Sequence, residues 1–171
     1  MRAGELIDLY LNEGRLTELP RKVVAYHVGR ELTGGKFSLK YVGSGEGAVP
    51  DAFRPLGDGI YFATERNIAL LYKKYVMVPF LYTVSLDARR LYNPTEGTPL
   101  RIREELLKRR GAITGGRELR ASELHKVLDR VIASMIKDGT ISGQWVNLPA
   151  GGQEIAVTDP RIIKVISTET I

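Results

Sequence analysis

Two tyrosines eleven residues apart carry much of the chemistry this chain offers. Tyr61 stands in Gly-Ile-Tyr-Phe-Ala, which reads as a short strand, and Tyr72 falls on the apolar face of the helix predicted after it. A strand end and the next helix face can hold two rings on either side of a flat heterocycle. Aromatic faces favour a cationic one by about 0.5–2 kcal/mol. Upstream, His27 lies in Ala-Tyr-His-Val-Gly; downstream, Glu154 lies in Gly-Gln-Glu-Ile-Ala-Val-Thr-Asp. Two stackable rings, an imidazole and a carboxylate suit the nicotinamide end of NAD. A carboxylate there accepts a hydrogen bond from a ribose hydroxyl and stabilises positive charge on the sugar as the nicotinamide bond breaks. The leaving group departs neutral, so no general acid is required and one carboxylate is enough. Each residue also has a plainer reading: a core tyrosine with a partnered hydroxyl, a structural histidine on a strand, a glutamate at a strand edge. Convergence of the four is what separates the two readings.

Length and composition bound what can carry this set. The 171 residues suffice for a single domain with a hydrophobic core, over residues 1–171, with residues 1–20 as an N-terminal helical segment. Charged residues make up 26% and apolar residues 43%, as in ordinary globular proteins. Cysteine is absent, which excludes disulfides and thiolate chemistry and suits a reducing, cytoplasmic setting. The start, Met-Arg-Ala-Gly-Glu-Leu-Ile-Asp, does not read as a signal peptide, and no stretch approaches the roughly 18 apolar residues of a membrane span. No metal-ligating pattern is present, and a monomer without membrane contact is expected. The net charge of +5 and pI near 9.5 permit a polyanionic partner. The basic residues cluster, as in Lys108-Arg109-Arg110, but without the interleaved aromatics that base stacking uses.

The elements that must position the site follow from periodicity. Glu5 to Glu13 is predicted helical, with Gly14 as its C-terminal cap. Val23 to Val28 and Ile60 to Ala63 are predicted strands, separated by a loop over 43–59 rich in Gly and Pro. Gly43-Ser-Gly-Glu-Gly47 within it lacks the Gly-Lys-Ser/Thr ending of a phosphate loop. A helix is expected from about Glu65 to Tyr75, burying Ile68, Leu71, Tyr72 and Tyr75. Phe80 to Leu86 is the next strand. Thr98 as N-cap and Pro99 at the first helical position open a helix to about Arg110, with bases in its last turn. Another helix spans about Ser122 to Lys137, and residues 139–153 read as an irregular segment containing Trp145, the only tryptophan. Strands at Glu154 to Val157 and Ile162 to Ile166 complete the chain. Helices and strands do not alternate regularly, so the fold class is α+β.

On these residues the chain resembles the ADP-ribosyltransferase superfamily, in its diphtheria-toxin-like and poly(ADP-ribose)-polymerase-like branch. That branch is recognised by a His, a Tyr and a Glu from three strands, here His27, Tyr61 and Glu154, with a second stacking Tyr eleven residues after the first, here Tyr72. Gly45-Glu-Gly followed by Gly59-Ile-Tyr-Phe-Ala is similar to ADP-ribosyltransferase domains carried by phages and bacterial toxins. The resemblance covers residues 26 to about 165. It implies a split, mostly antiparallel β-sandwich with flanking helices and NAD, as co-substrate, in the cleft. His27, Tyr61 and Glu154 would be catalytic; His27, Gly29, Tyr61, Ala63 and Tyr72 would contact NAD. Gln144, Trp145, Asn147 and Gln153 would face a macromolecular acceptor, protein or nucleic acid. The implied activity is transfer of ADP-ribose with release of nicotinamide; alternatives are a degenerate module that binds NAD or ADP-ribose, and an NAD glycohydrolase. Several positions depart from the pattern. Val28 separates His27 from Gly29, where the polymerases have His-Gly directly, and Ala69 stands where many have a carboxamide-binding Ser. Gly152 stands where the arginine-modifying branch has Gln or Glu.

Overall fold

Seven strands hydrogen-bond in the order β4-β5-β6-β2-β1-β3-β7, where β1 is Lys22–Gly29, β2 Ile60–Ala63, β3 Phe80–Asp87, β4 Leu91–Tyr92, β5 Gly143–Asn147, β6 Gln153–Val157 and β7 Ile163–Thr170. The computed structural model describes residues 22–41, 59–94, 98–148 and 151–171. The helix predicted over Glu5 to Glu13, and residues 43–58 of the glycine-rich loop, lie outside the described residues. Three α-helices accompany the sheet among the described residues: α1 (Arg66–Leu70), α2 (Leu100–Thr114) and α3 (Ala121–Lys137). The α+β class is as expected.

The sheet is antiparallel except for the β4–β5 pair, and it is unevenly knit. β1 and β3 register along their whole length, from Lys22 opposite Asp87 to Gly29 opposite Phe80. β2 and β6 register at all four β2 residues. Between β1 and β2 a single pair, Tyr26 opposite Ala63, is registered. The sheet is thus two half-sheets, β4-β5-β6-β2 and β1-β3-β7, joined at one rung.

Apolar side chains of alternating residues fill the space on one side: Ala25, Ile60, Phe62, Val84, Leu86, Trp145, Ile155 and Val157 form the main core with Leu91 and Ile162. Each large side chain buried there contributes about 1.5–3 kcal/mol. A second cluster joins α2 and α3 through Ile102, Leu106, Val127, Val131 and Met135. A third, of Val28, Ala63, Ala69 and Leu81, packs α1 on the other face of the sheet.

Several expectations are corrected. The helix over Glu65 to Tyr75 changes pitch: α1 ends at Leu70 and a 3-10 helix runs over Leu71–Tyr75. Tightening to three residues per turn eclipses i and i+3, so Tyr72 and Tyr75 share a side with ring centroids 6.5 Å apart. Leu71, expected inside, turns outward at 64% exposure. α2 continues past Arg110 to Thr114, where Gly115 at φ 60° ends it, so Lys108 to Arg110 sit inside the helix. Its cap residue is Pro99; Thr98 Oγ1 instead donates to the Asn93 carbonyl and accepts from the Asn93 N–H. Residues 143–147 are a strand rather than an irregular segment.

Candidate functional site

β2 and β6 set the site. Tyr61 and Ala63 are two apart in β2 and project to one face, and their β6 partners are Ala156 and Glu154. Gln144 of β5 stands opposite Ala156 in the same row, half-buried. α1 and the 3-10 turn pack over this face through Ala69, with Ile68 and Tyr72 partly buried beside it. That packing brings Tyr72 to Glu154: the phenol donates to Glu154 Oε1 at 2.5 Å. Tyr61, Tyr72 and Glu154 are therefore brought together from β2, the turn after α1 and β6.

Glu154 is 1% exposed, and its second oxygen, Oε2, is buried without a hydrogen-bond partner among the described residues. Burial pushes its carboxyl above the ordinary value of 4.5, against a smaller downward pull from the Tyr72 hydroxyl. Burial and the carboxylate together push Tyr72 above its ordinary value of 10, so the phenol keeps its proton and stays a donor. The Tyr61 and Tyr75 phenols also bear on Tyr72 electrostatically, which places both rings close to the pair. A buried carboxyl normally has every lone pair occupied, so the free Oε2 marks a place for an incoming donor.

His27 stands in the other half-sheet and is not among the side chains brought together on this face. Its neighbour Tyr26 shares the row of Ala63 and Glu154, so His27 projects to the opposite face, against Phe62 and Tyr82. Nδ1 lies 2.7 Å from the Tyr61 carbonyl oxygen. A carbonyl only accepts, so Nδ1 carries the proton. Burial lowers the imidazole below its ordinary 6.5, outweighing the carbonyl's upward pull, so the ring is neutral at pH 7 with Nε2 as an acceptor. The bond ties β1 to β2 where the ladder has one rung. Phe37 meets the imidazole edge-on at 5.3 Å. Gly29 leaves the space beside Nε2: a Cβ there would stand 2.7 Å from it.

The residues expected to face an acceptor divide. Trp145 is corrected: it is 8% exposed and belongs to the main core, in the row of Ile155 and Phe62. Alternation along β5 forces it to the core face when Gln144 takes the site face. Asn147 stands opposite Gln153 at the end of the β5–β6 ladder. The Gln153 carbonyl accepts from both the N–H and the hydroxyl of Thr64, fixing β6 against the end of β2. Ala63 and Ala69 are buried packing residues beside the site.

Two contributors were not read from sequence. Phe37, a single aromatic in a polar stretch, gave no periodic signal. Gly152, at φ 88°, lets the β5–β6 turn lie against α1: a Cβ there would press on Ile68 at 3.1 Å. The Gly-Gly pair before Glu154 was its visible sign. Among the described residues no group of three or more His, Cys, Asp or Glu side chains is placed to hold a metal ion, and no helix is long and apolar enough to cross a membrane. Searches against family models, curated proteins and solved structures returned no match.

Proposed function

We propose that this chain cleaves NAD and transfers its ADP-ribose to a macromolecular acceptor, in the manner of the ADP-ribosyltransferases it resembles. The observation that carries the reading is Glu154: a buried carboxyl with one oxygen held by Tyr72, the other without a partner among the described residues, and Tyr61 on the same face. The sheet's division into two halves joined at one rung supports the split sandwich of that superfamily. The residues fit the co-substrate at one point: Glu154 Oε2, buried and without a hydrogen-bond partner among the described residues, suits a ribose hydroxyl.

NAD supplies a cationic pyridinium that leaves its ribose as a neutral base. Tyr61 and Tyr72 offer ring faces to that heterocycle. Glu154 holds the sugar through a hydroxyl and places negative charge where positive charge develops, in a site that water reaches poorly. His27, neutral and bonded to the Tyr61 carbonyl, steadies the β2 backbone that carries Tyr61 from the opposite face. The transferred group carries its bond from the departing nicotinamide nitrogen to a nucleophile on the acceptor, which loses a proton.

Incubation with NAD labelled in the adenylate, in cell lysate with and without nuclease or protease, tests this. Wild-type protein should label a macromolecule, and Glu154→Gln should reduce labelling by about a thousandfold while remaining folded. Unchanged labelling in that variant would sink the reading, and nicotinamide release without labelled product would assign water as the acceptor. One observation favours a binding module instead: Ala69, buried among Val28, Ala63 and Leu81, offers no hydroxyl to the carboxamide. Calorimetric NAD binding with no nicotinamide release would select that alternative.

A further inference from the structure

Tyr72 does more in this structure than present a ring. Its hydroxyl donates to Glu154 Oε1, while Glu154 Oε2 has no partner among the described residues. A carboxylate has two chemically equivalent oxygens, and an unrestrained Glu side chain can rotate its terminal torsion to offer either. Holding one oxygen removes that freedom. We infer that the Tyr72 hydroxyl is a positioning group that fixes the Glu154 carboxylate and leaves Oε2 as the one oxygen presented to the ligand. The inference rests on the NAD reading for its catalytic consequence, but the tyrosine–glutamate coupling stands on this chain alone.

The local structure explains why this tyrosine is available. The change of pitch after Leu70 carries Tyr72 toward β6 and eclipses it with Tyr75. Ile68 and the turn at Gly152 close the end of α1 over the strand that bears Glu154. Among the described residues, the titratable groups that bear on the pair are the Tyr61 phenol from β2 and the Tyr75 phenol from the same turn. Tyr26 of β1 lies in the same sheet row, and Glu65 lies near Gly152. Both Tyr61 and Tyr75 act on Tyr72 in the direction that keeps it protonated. Among the described residues, the Tyr72 hydroxyl is the group that steadies its charged form.

Tyr72→Phe separates this role from stacking, because the ring stays and the hydroxyl goes. Without the donor, the charged form of Glu154 loses its hydrogen bond and the carboxyl titrates at higher pH. Carbon-13 NMR of the Glu154 carboxyl in wild-type and Tyr72→Phe protein reads that directly, with no ligand present. In nicotinamide-release assays the variant should keep its KM for NAD within about twofold and lose about tenfold in kcat. The acid limb of its kcat/KM profile should move to higher pH together with the NMR titration. Tyr72→Ala, which also removes the ring, should raise KM as well. An unchanged Glu154 titration in Tyr72→Phe overturns the coupling. A shifted titration with unchanged kcat and acid limb overturns the positioning role. If wild-type protein releases no nicotinamide, the NAD reading falls separately, and the NMR titration still decides whether Tyr72 holds Glu154.

Discussion

Carboxylates in two regions of this molecule have been treated in opposite ways. Between α2, α3 and β5, Arg109 donates to Glu105 at 2.7 Å and lies 2.6 Å from Asp138, with further bonds to Ser134 and Thr140. Both carboxylates are held below their ordinary values there: Glu105 chiefly by its hydrogen bond to Arg109, Asp138 at about 2 by bonds to Thr140 and then Arg109. At the junction of the half-sheets Glu154 is nearly inaccessible, accepts from the Tyr72 phenol, and is pushed upward by burial. The first arrangement is what a carboxylate does when it holds a structure together. The second raises the free energy of the native state and leaves an acceptor unused, which is a common signature of a group kept for a ligand.

Four substitutions break or sharpen that contrast. The largest effect is on the proposed activity: Glu154→Gln should remove ADP-ribosyl transfer, whereas Glu105→Gln should leave it within about twofold, read by incorporation of labelled adenylate. Next, Arg109→Met should lower the melting temperature by about 2–4 °C without changing activity, because it frees two carboxylates and two hydroxyls at once. Calorimetry should then find Glu154→Gln more stable than wild type by about 2 °C near neutral pH. The sign follows from the raised folded-state value of Glu154. Wild type loses stability as pH rises past the unfolded carboxyl value and through the folded one. The difference between the two proteins should therefore vanish in acid and level off above the folded value. The smallest effect is Asp138→Asn, about 1 °C at pH 7. Asp138 is lowered when folded, so its contribution is present above 3.8 and fades as pH falls through about 2. A Glu154→Gln variant less stable than wild type would remove the contrast altogether.

Much of this was legible in the residues, for reasons that differ by element. Ile60 to Ala63 is short, apolar and bounded by glycine and turn residues, and β2 has those bounds. α3 is a long periodic segment, and its buried residues Leu124, Val127, Val131 and Met135 recur at helical spacing. β5 was hidden because Gly143 and Asn147 look like loop residues. Gly143 is in fact a packing requirement, since a Cβ there would collide with the Ala156 carbonyl oxygen and stand 3.0 Å from Leu91. The change from α to 3-10 pitch after Leu70 had no sequence signal, because it answers to tertiary contacts of Tyr72 and Ile68. His27, Tyr61, Tyr72 and Glu154 could be named from spacing. That His27 would touch Tyr61 through its carbonyl, and Tyr72 touch Glu154 through its hydroxyl, depends on strand register and on that pitch.

The single rung between β1 and β2 also has a mechanical meaning. The two well-knit slabs share one registered backbone pair among the described residues, with the His27 imidazole bonded to the Tyr61 carbonyl beside it. Such a seam is compliant in twist while each slab stays stiff. A bound molecule that gripped Tyr26 on one slab and Glu154 on the other would work as a suture, converting a hinge into a beam.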